Sequence, residues 1–175
     1  LLSNLDANKS MLAAGKLSVE NGAHIVTQQF LDSFLILSGS GITFGLVIAM
    51  LFAAKSKQYK ALGKVAAFPA IFNVNEPVVF GFPIVMNPVM FLPFIIVPIL
   101  AAIIVYTSIA IGFMHPFSGV TLPWSTPAII SGFMVGGWQG AFVQVLVLAT
   151  STVVYFPFFK FQDNLAYNNE LQAEK

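Results

Sequence analysis

Two carboxamides and a carboxylate stand together in Phe72-Asn73-Val74-Asn75-Glu76-Pro77, and Glu76 is the only formally charged side chain between Lys64 and Lys160. A carboxylate in so apolar a stretch costs about 2.5 to 3.5 kcal/mol on membrane-insertion scales, so it is retained where it faces a partner, a water-filled cavity or a substrate. Further along, Leu122-Pro123-Trp124-Ser125-Thr126-Pro127 supplies an indole and two hydroxyls. That inventory suits a carbohydrate, whose hydroxyls pair with carboxylate and amide groups and whose axial C–H faces stack on indole. An inorganic cation path would ask for more acids. The candidate substrate-binding residues are Asn73, Asn75, Glu76, Trp124 and Thr126. Each conspicuous residue has a plainer reading beside this one: Glu76 as a structural carboxylate held by the amides of its own turn, Trp124 as a ring of the membrane-interface belt.

Composition says what kind of element must position them. Hydrophobic residues make up 57% of the 175 and charged residues 9%, against roughly 25% charged in soluble domains, which is the balance of a polytopic membrane protein. Eight lysines, no arginine and a net charge of +1 give no basic face for nucleic acid. Cysteine is absent, which removes disulfides, thiolate metal sites and thiol catalysis from this chain. His24 and His115 read as capping or loop residues, so neither a metal site nor a cofactor is expected. The first thirty residues are mixed and polar, without the pattern of a signal peptide. The chain opens on Leu1 rather than methionine and is expected to be a piece of something longer.

Charge also marks topology. Residues 34–54 form an uncharged run of 21 residues, enough to cross about 30 Å of hydrocarbon as a helix. Lys55, Lys57, Lys60 and Lys64 follow at once, which places residues 55–64 in the cytoplasm. Pro69, Pro77, Pro83, Pro88, Pro93 and Pro98 then recur every five to eight residues. Each removes a backbone donor and clashes with the preceding turn, so straight helix through 69–88 is not expected. Irregular backbone at membrane depth survives only when buried in protein or lining a cavity. Residues 65–88 are therefore expected as a re-entrant hairpin with Glu76 near its tip, and the prolines and Gly119 of 115–137 suggest a second. Spans are expected at 89–114 and 138–158, with a polar cytoplasmic tail at 161–175. The fold class is an all-α polytopic membrane protein, one membrane domain of transmembrane helices with two re-entrant hairpins. Two interrupted hydrophobic segments point to a transporter site near the midplane. Gly39, Gly41 and Gly45 suit close helix packing better than phosphate binding.

The run Phe72-Asn73-Val74-Asn75-Glu76-Pro77-Val78-Val79-Phe80-Gly81-Phe82-Pro83, continuing through Asn87-Pro88, resembles the signature of the sugar-translocating IIC permease of the bacterial phosphotransferase system, lactose/cellobiose/diacetylchitobiose type. The likeness extends upstream through Gly39-Ser40-Gly41 and Lys55-Ser56-Lys57, and downstream through Leu122-Pro123-Trp124-Ser125-Thr126-Pro127 and Tyr155-Phe156-Pro157-Phe158, about Asn4 to Asp163 in all. It implies a multi-pass protein of the bacterial cytoplasmic membrane, homodimeric at full length, of which this chain is most of the sugar-holding C-terminal half. The family's Gly-Ile-His-Gly phrase lies upstream of this chain, so no histidine here inherits its role. By the resemblance Glu76 lies close to the sugar's C6 hydroxyl and is the candidate catalytic residue, Asn75 is its polar neighbour, and Trp124 stands beside the disaccharide. The implied partners are the disaccharide, the lipid bilayer, and the IIB and IIA components. A phosphocysteine on IIB phosphorylates the sugar, and no residue of this chain is phosphorylated. A cation-coupled sugar symporter and a non-transport membrane scaffold are the rival classes.

Overall fold

The Asn73-Val74-Asn75 turn lies where three non-helical stretches meet, 36–43, 72–75 and 121–127. A computed structural model describes residues 1–82, 84–119 and 121–173, with the backbone alone of Val85; Pro83, Val120, Glu174 and Lys175 lie outside the described residues. Helix follows helix: α1 (Leu2–Ala13), α2 (Gln28–Phe30), α3 (Phe44–Ala53), α4 (Lys57–Ile71), α5 (Glu76–Gly81), α6 (Pro88–Ala110) and α7 (Ile130–Ala173), with no strand among the described residues. The all-α expectation holds.

The run 34–54 is not one helix. α2 passes into a π-helical turn at Leu31–Leu35, and the backbone then leaves helical geometry before α3. Ser38, Gly39, Gly41 and Ile42 all take positive φ, at 58°, 83°, 78° and 51°. Neither the composition nor a proline dictates this break. It is imposed from outside, because the backbone groups that would close the helix are bonded elsewhere: the Ser38 amide donates to Asn73 Oδ1, and the carbonyls of Ser40, Gly41 and Ile42 accept from Asn75, Tyr155 and Ser151.

α4 begins at Ser56, whose hydroxyl accepts from the Tyr59 amide at 3.1 Å, an N-cap. It runs through Pro69 and ends in a Schellman closure, with the Val74 amide donating to the Pro69 carbonyl (3.1 Å) and the Asn73 amide to that of Ala70 (3.2 Å). The left-handed residue this motif needs is Asn73, at φ 63°. The chain then doubles back as α5, opened by Glu76 and Pro77, and Phe82 stacks on the Tyr59 ring with centroids 4.4 Å apart. Residues 57–82 are thus a helical hairpin with Glu76 beside its turn.

α6 starts on an Asn87 cap whose side chain accepts from the Val89 amide at 3.0 Å, and it continues past both Pro93 and Pro98. It ends at Ala110, four residues short of the expected span. α7 is broken at Gly136 and Gly137, the latter at φ 64° and ψ −157°. There the chain reverses: Gly132 packs on Gly140, and Gln144 Oε1 accepts from the amides of Ile129 (2.6 Å) and Gly132 (3.0 Å). The long arm then runs unbroken through Pro157 to Ala173, so 161–173, expected as a tail, is helix.

α3 packs along the long arm of α7, and Gly45 makes this possible because a Cβ there would strike the Thr152 backbone. Leu46, Met50, Val97, Ala101, Val105, Val143 and Val147 fill the space between α3, α6 and α7. Large apolar side chains also stand outward, among them Phe52, Phe80, Ile103 and Val153. Among the described residues Pro88–Ala110 and Ile130–Ala173 are long and apolar enough to cross a membrane.

Candidate functional site: the Asn73 junction

Asn73 joins the three interruptions. Its Oδ1 accepts from the Ser38 amide at 2.6 Å, and its Nδ2 donates to the carbonyls of Trp124 (2.6 Å) and Thr126 (2.9 Å). The side chain is buried, at 9% exposure. A carboxamide is the one group that both accepts from an amide and donates to two carbonyls from a single short side chain. Asn75, also buried, donates to the Ser40 carbonyl at 2.7 Å.

The residues brought together in this way are Asn73, Asn75, Trp124 and Thr126, with Glu76 next along the chain. Their exposure divides them. Asn73 and Asn75 are buried and bonded to backbone, whereas Glu76 lies exposed in the first turn of α5 and Trp124 is 68% exposed. Among the described residues the Trp124 indole stacks on no other ring and the Glu76 carboxylate meets no cation. Thr126 is turned inward on its own loop, its hydroxyl donating to the Pro123 carbonyl at 2.7 Å. Backbone strain gathers here as well: Ile42 and Ile129, both β-branched, take φ 51° and 71°. Such residues persist only where surrounding structure over-determines them, and they cluster at working sites.

α7 supports the junction at several levels. Tyr155 and Ser151 donate to the Gly41 (2.8 Å) and Ile42 (2.6 Å) carbonyls, and Gln144 Nε2 donates to the Ser33 carbonyl at 2.7 Å. Farther along, the buried Asp163 carboxylate accepts from the Lys55 and Ser56 amides at 2.8 to 3.0 Å, and Glu170 accepts from those of Lys57 (2.9 Å) and Gln58 (3.1 Å). Together they hold the start of α4. The Lys57 and Gln58 amides lower the Glu170 carboxyl below its ordinary value, while burial, helped by the Asp163 carboxylate, raises the Tyr59 phenol.

Sequence reasoning missed these supports. Gln144 had a signal, an amide in an otherwise apolar helix, but Asp163 looked like part of a polar tail. His24 and His115 do not join the junction, and among the described residues no His, Asp and Glu side chains gather as a metal site.

Residues 1–98, which carry Asn73, Asn75 and Glu76, match the family model described as phosphotransferase system, EIIC. The chain belongs to the EIIC family. This family is membrane-embedded, which accounts for the outward apolar side chains. The chain is 43% identical over 172 residues to the lichenan permease IIC component of Bacillus subtilis (strain 168), a match covering 97% of this chain and 37% of that protein. It is 42% identical over 142 residues to the cellobiose-specific EIIC component of Geobacillus stearothermophilus, covering 80% and 32%. The crystal structure of the transporter ChbC, the IIC component from the N,N'-diacetylchitobiose-specific phosphotransferase system, superimposes with a TM-score of 0.88 at 38% identity, over 97% of this chain and 39% of that one. The chain therefore spans well under half the length of the EIIC relatives it matches.

Proposed function

We propose that this chain is the sugar-holding part of a multi-pass permease of the bacterial cytoplasmic membrane, which carries a β-linked disaccharide inward for phosphorylation at C6. The observation that carries this reading is the Asn73 junction. Three broken segments are bonded together there, with an exposed carboxylate, Glu76, and an exposed indole, Trp124, left over for a ligand. In this reading the indole stacks on a sugar face, and the Glu76 carboxylate accepts a hydrogen bond from the C6 hydroxyl. The phosphoryl group arrives on a IIB cysteine; its P–S bond breaks as the P–O6 bond forms, and Glu76 takes the hydroxyl proton, as a general base within hydrogen-bond reach can. IIA recharges IIB.

The segments 65–88 and 115–137 are the re-entrant elements of this reading, the first turning at 72–75 and the second ending at the Gly136–Gly137 reversal, and the whole permease is a homodimer. Cellobiose, lactose and diacetylchitobiose are the sugars to test. Right-side-out vesicles carrying the full-length permease, loaded with IIA, IIB and a phosphoenolpyruvate relay, should accumulate 6-phospho-disaccharide from labelled sugar outside. Accumulation of unmodified sugar driven by a cation gradient would overturn the reading in favour of a symporter.

A further inference from the structure

We propose that Asn73 touches no sugar and is instead a positioning residue that sets the Trp124 ring. This rests on the reading of Trp124 as the sugar's stacking platform.

Three observations lead to it. First, the left-handed φ of 63° that closes α4 is equally open to glycine, so the turn alone does not call for an amide. Second, the amide is already committed. Both hydrogens of Nδ2 go to the Trp124 and Thr126 carbonyls and Oδ1 accepts from the Ser38 amide, all within a side chain that is 9% exposed. No donor remains for a sugar hydroxyl, and the second lone pair of Oδ1 sits on a buried residue. Third, Trp124 needs holding. The residue is 68% exposed and, among the described residues, its ring stacks on no other, so its place depends on its backbone. That backbone is fixed by Asn73 on one side and by the Pro123–Thr126 turn on the other. A platform held in advance spares the sugar the ordering cost of finding it.

Aspartate and glycine separate these functions. Asn73→Asp keeps the shape and the acceptor for Ser38 but turns oxygen lone pairs toward two carbonyls, which drives the Trp124 loop away. Asn73→Gly keeps the φ and removes all three bonds.

Both variants are made in the full-length permease, with Trp124 intact and with Trp124→Ala, and binding of labelled disaccharide is measured. With Trp124 present each should weaken binding by about tenfold, the scale of one misplaced aromatic contact; with Trp124→Ala each should cost no more than about threefold, since coupled residues do not add. Equal losses in both backgrounds would overturn the proposal, because Asn73 would then act on the sugar without the ring. Where Asn73→Asp fails to fold, Asn73→Gly carries the comparison alone. A second measurement needs no sugar: the emission lost on Trp124→Phe isolates Trp124, and its acrylamide quenching should change in both Asn73 variants. Unchanged quenching would also overturn the proposal. If Trp124→Ala by itself binds sugar normally while the quenching shifts as expected, the positioning role stands and the platform reading is what fails.

Discussion

The side-chain amide of Asn75 occupies the space where a Cβ on Gly39 would stand. Gly39 is therefore glycine for two separable reasons, its φ of 83° and this contact, and Gly22 meets only the first, having φ 88° with nothing within 4 Å. Gly22→Ala should cost about 1 kcal/mol of stability from backbone strain alone. Gly39→Ala should cost about 2 to 4 kcal/mol and weaken sugar binding as Asn75 leaves the Ser40 carbonyl. Thermal unfolding in detergent together with sugar titration checks this; equal behaviour of the two variants would remove the contact from the account.

Glu76 is expected to act through hydrogen bonds to the ligand, not through stability, because it is exposed and meets no cation among the described residues. Glu76→Gln should lower sugar affinity by about 1.5 to 3 kcal/mol, the range for hydrogen bonds to charged groups, with little change in unfolding temperature. Phosphorylation at saturating sugar should fall further than binding does. A glutamine variant that binds and phosphorylates like the parent would leave Glu76 as a structural carboxylate.

For Trp124 the expected loss in the alanine variant is about 1 to 3 kcal/mol of sugar affinity, with partial rescue by phenylalanine. Expression and oligomeric state should be unaffected, since the ring packs on no other ring among the described residues. Isothermal titration of the purified permease measures it.

The hold of Glu170 on α4 should depend on pH in a stated direction. Its carboxyl is lowered from 4.5 by the Lys57 and Gln58 amides. A depressed folded-state value means the stabilisation is fully present above the unfolded value and disappears as pH falls through the folded one. Protection of the Lys57 and Gln58 amides from hydrogen exchange, taken relative to unfolded rates, should therefore be level at neutral pH and decline as the pH falls below about 4.5. Glu170→Gln should flatten this decline. Protection that rises on acidification would contradict the assignment.

Orientation has its own test. Lys57→Cys in a thiol-free permease should react with an impermeant thiol reagent only from the cytoplasmic side. Labelling from outside intact cells would invert the topology.

How much of this was legible in the sequence depended on whether the cause was local. Glu76 announces itself by isolation in an apolar run, and Ser56 before Lys57 marks a helix start. The prolines were a less even guide. They coincide with the turn at 72–75 and the non-helical stretch 121–127, yet α6 continues through Pro93 and Pro98 and α7 through Pro157, because apolar neighbours hold a helix whose ladder has lost single bonds. The largest discrepancy, the break at 36–43, has no proline. Its cause is a set of partners 35 to 114 residues away in sequence, Asn73, Asn75, Tyr155 and Ser151, and no local propensity reports such partners. The same holds for Asn73 itself: its residue type suggested a ligand, and only its three backbone bonds disclose a structural commitment.

The bonds along α7 bear on motion. Tyr155 and Ser151 hold the loop on one side of the Asn73 turn, while Asp163 and Glu170 hold the first turn of the helix on the other. Both abutments are pinned to a single rod about 36 residues long. Displacing the turn relative to α7 would strip several groups of their partners, at about 1 to 3 kcal/mol for each one left buried and unpaired. In the permease proposed above, the turn, α3, α4 and the long arm of α7 would therefore move as one piece, and a transport stroke would pivot where that piece meets the remainder of the protein.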